Sequence, residues 1–108
     1  MNEKIKLVAN DTRPQLRLTL SDETTNQPID LTGSAVRLYF RQVGTETILD
    51  TLSGVVTNPL GGEVIFMWKS GTLAVPAGDY EGEVEITDPL GGTQTMYELL
   101  KFKVREDF

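Results

Sequence analysis

Asn58-Pro59-Leu60-Gly61-Gly62 and Asp88-Pro89-Leu90-Gly91-Gly92 are near copies of each other, and each separates two runs of alternating apolar and polar residues. Proline presets one turn dihedral and the paired glycines admit positive φ, so both stretches predict tight connections between antiparallel strands. Outward from the first lie Thr47 to Leu52 and Gly54 to Thr57 on one side and Glu63 to Trp68 on the other. Outward from the second lie Tyr80 to Thr87 and Thr93 to Tyr97. Lys4 to Val8, Gln15 to Leu20 and Ala35 to Gln42 precede them, and Leu100 to Val104 closes the series.

The alternation has the period of two of a half-buried strand. It turns Leu16, Leu18, Leu20, Val36, Leu38, Phe40, Val64, Phe66, Trp68, Val84, Ile86, Phe102 and Val104 inward. A one-residue slip would turn all of them outward, so the pattern specifies the pairing. Ile65 and Met67 make the Glu63–Trp68 run apolar on both faces, which predicts partial cover on its second face. Lys69 to Val75 breaks the alternation and leaves room for one short helical turn. The reading is all-β: seven to eight strands at roughly ten-residue intervals, an antiparallel sandwich or small barrel. A chain of 108 residues forms one domain, 1–108, with 1–9 an N-terminal arm or first strand.

Composition removes several kinds of chemistry. The net charge of −6 disfavours nucleic acid and gives no reason to expect an anionic membrane. Cysteine and histidine are both absent, which excludes disulfides, thiolate metal sites and every Ser-His or Cys-His nucleophile. The start of the chain shows no apolar secretory core and no run long enough to span a membrane, and the absence of cysteine fits synthesis in a cytosol; synthesis in a bacterial host cytoplasm is expected only from the resemblance given below.

The remaining candidates are acidic or aromatic. Glu81, Glu83 and Glu85 share one strand face, at about 7 Å between neighbours, which falls within the broad range of glycosidase carboxylate separations. An exposed ladder paired with Lys101, Lys103 and Arg105 explains them better, and an acid-only glycosidase working through Glu83 is the weakest reading. Asp11, Asp22, Glu23, Asp30, Asp50 and Asp79 fall in or near loops, but no calcium-loop spacing joins them. Arg37, Tyr39 and Arg41 form a small basic and aromatic stripe, read as a solvated face or one side of a contact. No catalytic residue, metal ligand or cofactor site is expected, nor a small-molecule ligand.

Several segments resemble a family. Asn10-Asp11-Thr12-Arg13-Pro14 with the strand after it, Gln27-Pro28-Ile29-Asp30-Leu31-Thr32-Gly33 with Ala35 to Arg41, Gly61-Gly62-Glu63-Val64 through Trp68, and Pro76-Ala77-Gly78-Asp79-Tyr80 are similar to the N-terminal domain of phage baseplate upper proteins. The resemblance runs from about Asn10 to Val104. Asn10 stands where that family has glycine, and the chain stops at Phe108, short of the extension through which larger members meet receptor-binding proteins.

What the resemblance implies is an immunoglobulin-like β-sandwich and a non-enzymatic virion structural protein of the tail, baseplate or neck, working as a protein-protein docking module. It implies location in the virion, other virion structural proteins as partners, and a homo-oligomeric or ring-symmetric assembly. Under that reading Ile5, Leu7, Arg37, Tyr39, Arg41, Glu81, Glu83 and Glu85 are candidate docking residues, while Asp30, Gly33, Gly61, Gly62, Gly78, Tyr80, Gly91 and Gly92 build turns. Tyr80 is expected to act as a tyrosine corner. The alternative is a carbohydrate-binding β-sandwich contacting host surface glycans, for which one Trp, three Tyr and four Phe make a thin supply of platforms.

Overall fold

The structure is a computed structural model that describes residues 4–108. Among the described residues the chain forms nine strands and no helix: β1 (Ile5–Val8), β2 (Leu16–Thr19), β3 (Ala35–Gln42), β4 (Asp50–Ser53), β5 (Val55–Asn58), β6 (Glu63–Phe66), β7 (Gly78–Thr87), β8 (Thr93–Thr95) and β9 (Leu100–Arg105). One sheet has the order β1-β9-β7-β3-β4, with β8 also on β7; the other has the order β2-β6-β5. They stack as an immunoglobulin-like β-sandwich, six strands against three.

The two turns do what their sequences predict, joining β5 to β6 and β7 to β8. The first residue of each adds an anchor. The Asn58 side chain accepts from the Gly61 N–H at 3.1 Å, and the Asp88 carboxylate accepts from the N–H groups of Leu90 and Gly92, both at 2.9 Å. Gly62 sits at φ 67° against the carbonyl of Leu20, where a side chain would be both strained and blocked. Gly91 has φ 89°, and Gly33, at φ 71°, lies under the ring of Pro89. Asp30 accepts from the backbone N–H and hydroxyl of Thr32, which hold its carboxyl below the ordinary carboxylate range.

Between the sheets, Phe40 stacks on Tyr80 at 5.2 Å and meets Trp68 and Phe102 edge-on at 5.4 and 5.7 Å. Each polar tip in this cluster has a partner. The Trp68 indole donates to the Pro14 carbonyl at 3.0 Å, and the Tyr80 hydroxyl to the Pro76 carbonyl at 2.6 Å, the expected corner. Burial pushes the Tyr80 phenol up. Gly82 lets Leu38 and Phe102 close over β7, since a Cβ there would lie 2.7 Å from Leu38 and 3.0 Å from Phe102.

The structure departs from the sequence reading in detail. Nine strands form where seven to eight were expected, since the runs on either side of Gly54 both become strands, β4 and β5, with the Gly54 N–H donating to the Val36 carbonyl at 2.8 Å. Lys69 to Val75 makes two overlapping four-residue turns, with the Thr72 N–H donating to the Lys69 carbonyl and the Ala74 N–H to the Gly71 carbonyl, and not a helical turn. Asp50 anchors this loop: burial works against its carboxylate, but hydrogen bonds from Lys69, Thr72 and the Thr51 amide outweigh that and hold its pKa below the ordinary value.

At the edges of the sandwich, Ile5–Val8 is a strand, parallel to β9 in an otherwise antiparallel molecule, and it places Leu7 3% exposed in the core. Residues 1–3 of the expected arm or first strand lie outside the described residues. On β6, Ile65 is half-buried, which gives the second face partial cover, while Met67 just beyond it is 58% exposed.

Candidate functional site

The thirteen side chains expected inward are all buried except Leu18. That exception marks a gap in the sandwich. β7 is ten residues long and shares one flank between two partners: β9 pairs Gly78 to Gly82, and β8 pairs Glu85 to Thr87. The link between β8 and β9 bows outward there, after the Met96 N–H donates to the Val84 carbonyl at 2.9 Å. On the opposite sheet, β2 ends the three-stranded layer. The result is a groove of about 300 Å³ lined by Leu18, Thr19 and Leu20 from β2 and its end, Val84 from β7, Leu100 from β9, and Met96 and Glu98 from the link. Leu18, Met96 and Leu100 are three of the seven apolar side chains that pack on the core without being fully covered.

Ser21, Asp22, Glu23 and Asn26 complete the rim. Their hairpin is rigid. Asp22 accepts from the amides of Thr24 and Thr25 at 2.8 and 3.2 Å, and its own amide donates to the Gln27 carbonyl at 2.9 Å. The rim therefore carries three carboxylates, Asp22, Glu23 and Glu98, and no lysine or arginine lines the groove. None of the three joins an ion pair among the described residues. Chemically, this is an apolar floor under an uncompensated negative edge.

The docking residues expected from the sequence lie elsewhere. Ile5 and Leu7 face inward, half-buried and buried, because the register of β1 sets them opposite Phe102 and Val104. They are core and not an exposed arm. Arg37, Tyr39, Arg41, Glu81, Glu83 and Glu85 do come together as register neighbours on the outer face of the six-stranded sheet, where Arg41 bonds Glu81 and Tyr39 bonds Glu85. Arg41 meets Glu81 at 2.7 Å, with Lys101 at 3.8 Å, and Glu81 is itself buried. The Tyr39 hydroxyl donates to Glu85 at 2.8 Å, and this bond, aided by burial, pushes the phenol up.

The ladder expected between the three glutamates and the basic residues of β9 is realised at Glu81 with Lys101. Lys103 falls opposite Asp79, and β3 supplies the partners of the rest. No convergent acid pair emerges. The described residues hold no cluster of three His, Cys, Asp or Glu side chains able to bind a metal. The groove was not legible, because Asp22 and Glu23 lie in one loop and Glu98 in another, far apart in the chain; the available signal was the apolar character of Met96, Tyr97 and Leu99 in the link that carries Glu98.

No family model matches the chain, and no curated protein sequence matches it. Among solved structures it is similar to CopC from Methylosinus trichosporium OB3b, at 10% identity and TM-score 0.54 over 97% of this chain and 86% of that one. It is also aligned with PcoC, a copper resistance protein from Escherichia coli, at 14% identity and TM-score 0.44 over 95% and 92%. The first likeness is one of fold. These findings overturn the phage baseplate resemblance, whose motifs read as turn chemistry that any such sandwich can use. With it fall the virion structural role and its glycan-binding alternative, the virion and host-cytoplasm location, and the virion partners with their ring assembly.

Proposed function

We propose that this chain is a non-enzymatic binding domain whose working surface is the groove between β2 and the β8–β9 link, and that its ligand is a basic, amphipathic segment. One observation carries the reading. Leu18, Met96 and Leu100 stay partly uncovered beneath three carboxylates that join no ion pair among the described residues. Large apolar side chains gain by being covered, and a rim of one sign attracts the opposite sign and rejects its own. A ligand that puts an apolar group on the floor and a lysine or arginine at the rim satisfies both. The outer face of the larger sheet offers only a small hollow of about 30 Å³, and two of its three glutamates, Glu81 and Glu85, are already engaged within the fold.

Copper resistance, named for PcoC, has no donor set here. Copper favours imidazole, thiolate and thioether ligands. The chain has neither histidine nor cysteine, and Met67 is exposed on the β6 strand's far side from the groove that holds Met96. The reading therefore includes no metal.

Calorimetric titration with a short peptide mixing lysine with leucine or valine tests it. Binding that weakens with salt and falls about tenfold in a Glu23→Lys, Glu98→Lys double variant is expected. Equal binding of a peptide with glutamate in place of lysine, or tight copper binding by the unaltered protein, would overturn it.

A further inference from the structure

We infer that the basic segment enters as an extended strand and adds to the open edge of β2, hydrogen-bonding to the backbone of Arg17 and Thr19. This deepens the groove reading above and rests on it. The geometry follows from the register. β2 and β6 pair Leu16 with Phe66, Leu18 with Val64 and Thr19 with Glu63. One step further, the Leu20 N–H donates to the Gly62 carbonyl at 2.8 Å, so the Leu20 amide turns towards β6 and sets the parity of the ladder. Antiparallel ladders alternate, so Leu18 and Leu16 also bond towards β6, while Arg17 and Thr19 turn their N–H and C=O groups to the other side. On that side β2 is the last strand of its sheet.

The side chains support the same entry. Leu18 points from this edge onto the groove floor, whereas Arg17 and Thr19 are exposed on the outer face. An added strand places alternate side chains towards the two faces, so every second residue of the segment lies over Leu18, Met96 and Leu100. The end of the segment nearest the Ser21–Asn26 hairpin meets Asp22 and Glu23, and Glu98 faces it across the groove. The occupant is therefore a stretch of about six residues, the ordinary length of one strand, with apolar side chains at every second position and lysine or arginine at the end beside Asp22 and Glu23. The rim rejects an acidic segment, and the net charge of −6 acts the same way at longer range.

The experiment compares three forms of one short peptide that alternates valine and threonine and ends in lysines: unmodified, N-methylated on the odd residues, and N-methylated on the even residues. Affinity is measured together with amide exchange of the isotope-labelled protein. The expected result is protection of the Arg17 and Thr19 amides, with one methylated form weakened about tenfold or more and the other nearly unchanged, since only one set of peptide N–H groups faces β2. If all three peptides bind equally and perturb Leu18, Met96 and Glu98 without protecting those amides, strand addition is wrong while the groove reading stands. If none of the three binds, both are wrong. Protection of Arg17 and Thr19 that rises with protein concentration alone would assign the edge to a second copy of this chain and overturn the partner named here.

Discussion

The molecule has two acidic regions, and they differ in what surrounds them. On the outer face of the six-stranded sheet, Glu81, Glu83 and Glu85 stand between β3 and β9. Arg41, Lys101 and Tyr39 neutralise or bond two of them within the fold. At the groove, Asp22, Glu23 and Glu98 come from two connecting segments, join no ion pair among the described residues, and border apolar side chains that are only partly covered. The first arrangement fixes strand register and leaves little to attract a ligand. The second leaves both charge and apolar area unsatisfied. Counting carboxylates does not separate the two; their neighbours do.

The sharpest way to break this contrast is to remove one acid from each region. Glu81→Ala strands Arg41 and Lys101 on a covered face. Because both cations are about a third exposed, a loss of about 2 kcal/mol is expected, below that for a fully buried pair. Glu98→Ala should change stability by no more than about 0.5 kcal/mol. Urea denaturation of the two variants checks this, and equal losses would erase the distinction.

Binding inverts the order. The Glu23→Lys, Glu98→Lys double variant should weaken the basic peptide by about tenfold, near 1.4 kcal/mol, whereas Glu83→Lys on the outer face should alter it less than about twofold. Fluorescence anisotropy with a labelled peptide separates the cases. A smaller effect sharpens the same point. Raising sodium chloride from about 0.05 to 0.5 M shortens the Debye length several-fold, so affinity should fall while Tm moves by only a few degrees. Parallel anisotropy and thermal melts report the two.

The smallest expected effect is alkaline. The folded Tyr39 phenol is held above its ordinary value of 10.0 by its bond to Glu85. A raised acid of this kind contributes stability that is fully present below the unfolded pKa and is lost as pH rises through the folded one. Tyr39→Phe should therefore cost a few tenths of a kcal/mol to about 1 kcal/mol at pH 8, with a smaller difference from the unaltered protein above pH 11. Denaturation at the two pH values measures it, and a difference that grows with pH would reverse the sign.

Much of the fold could be read from the chain because its signals are local. Side-chain alternation recurs every second residue, so Val36, Leu38 and Phe40 declare their face without help from distant segments, and all three are buried. The turns at Asn58–Gly62 and Asp88–Gly92 carry their own proline, glycine and Asx acceptor. Register across strands was harder. The glutamates of β7 were matched to β9, and Glu81 does meet Lys101, but β3 lies on the other side and takes Glu85 through Tyr39. Ile5 and Leu7 were read as docking residues because short terminal runs do not reveal whether a strand has a neighbour; pairing with β9 buries them.

The amino-acid order by itself determined which residues face inward and where the chain reverses, because rotamer-scale geometry and turn dihedrals depend on immediate neighbours. It also removed histidine and cysteine chemistry outright. Only the tertiary structure decided that β7 shares one flank between β8 and β9, that β2 has an open edge, and that Asp22, Glu23 and Glu98 gather above Leu18 and Met96. Those facts depend on which distant segments pack together. That choice is made by burial summed over the whole core and cannot be read from any single stretch of the chain.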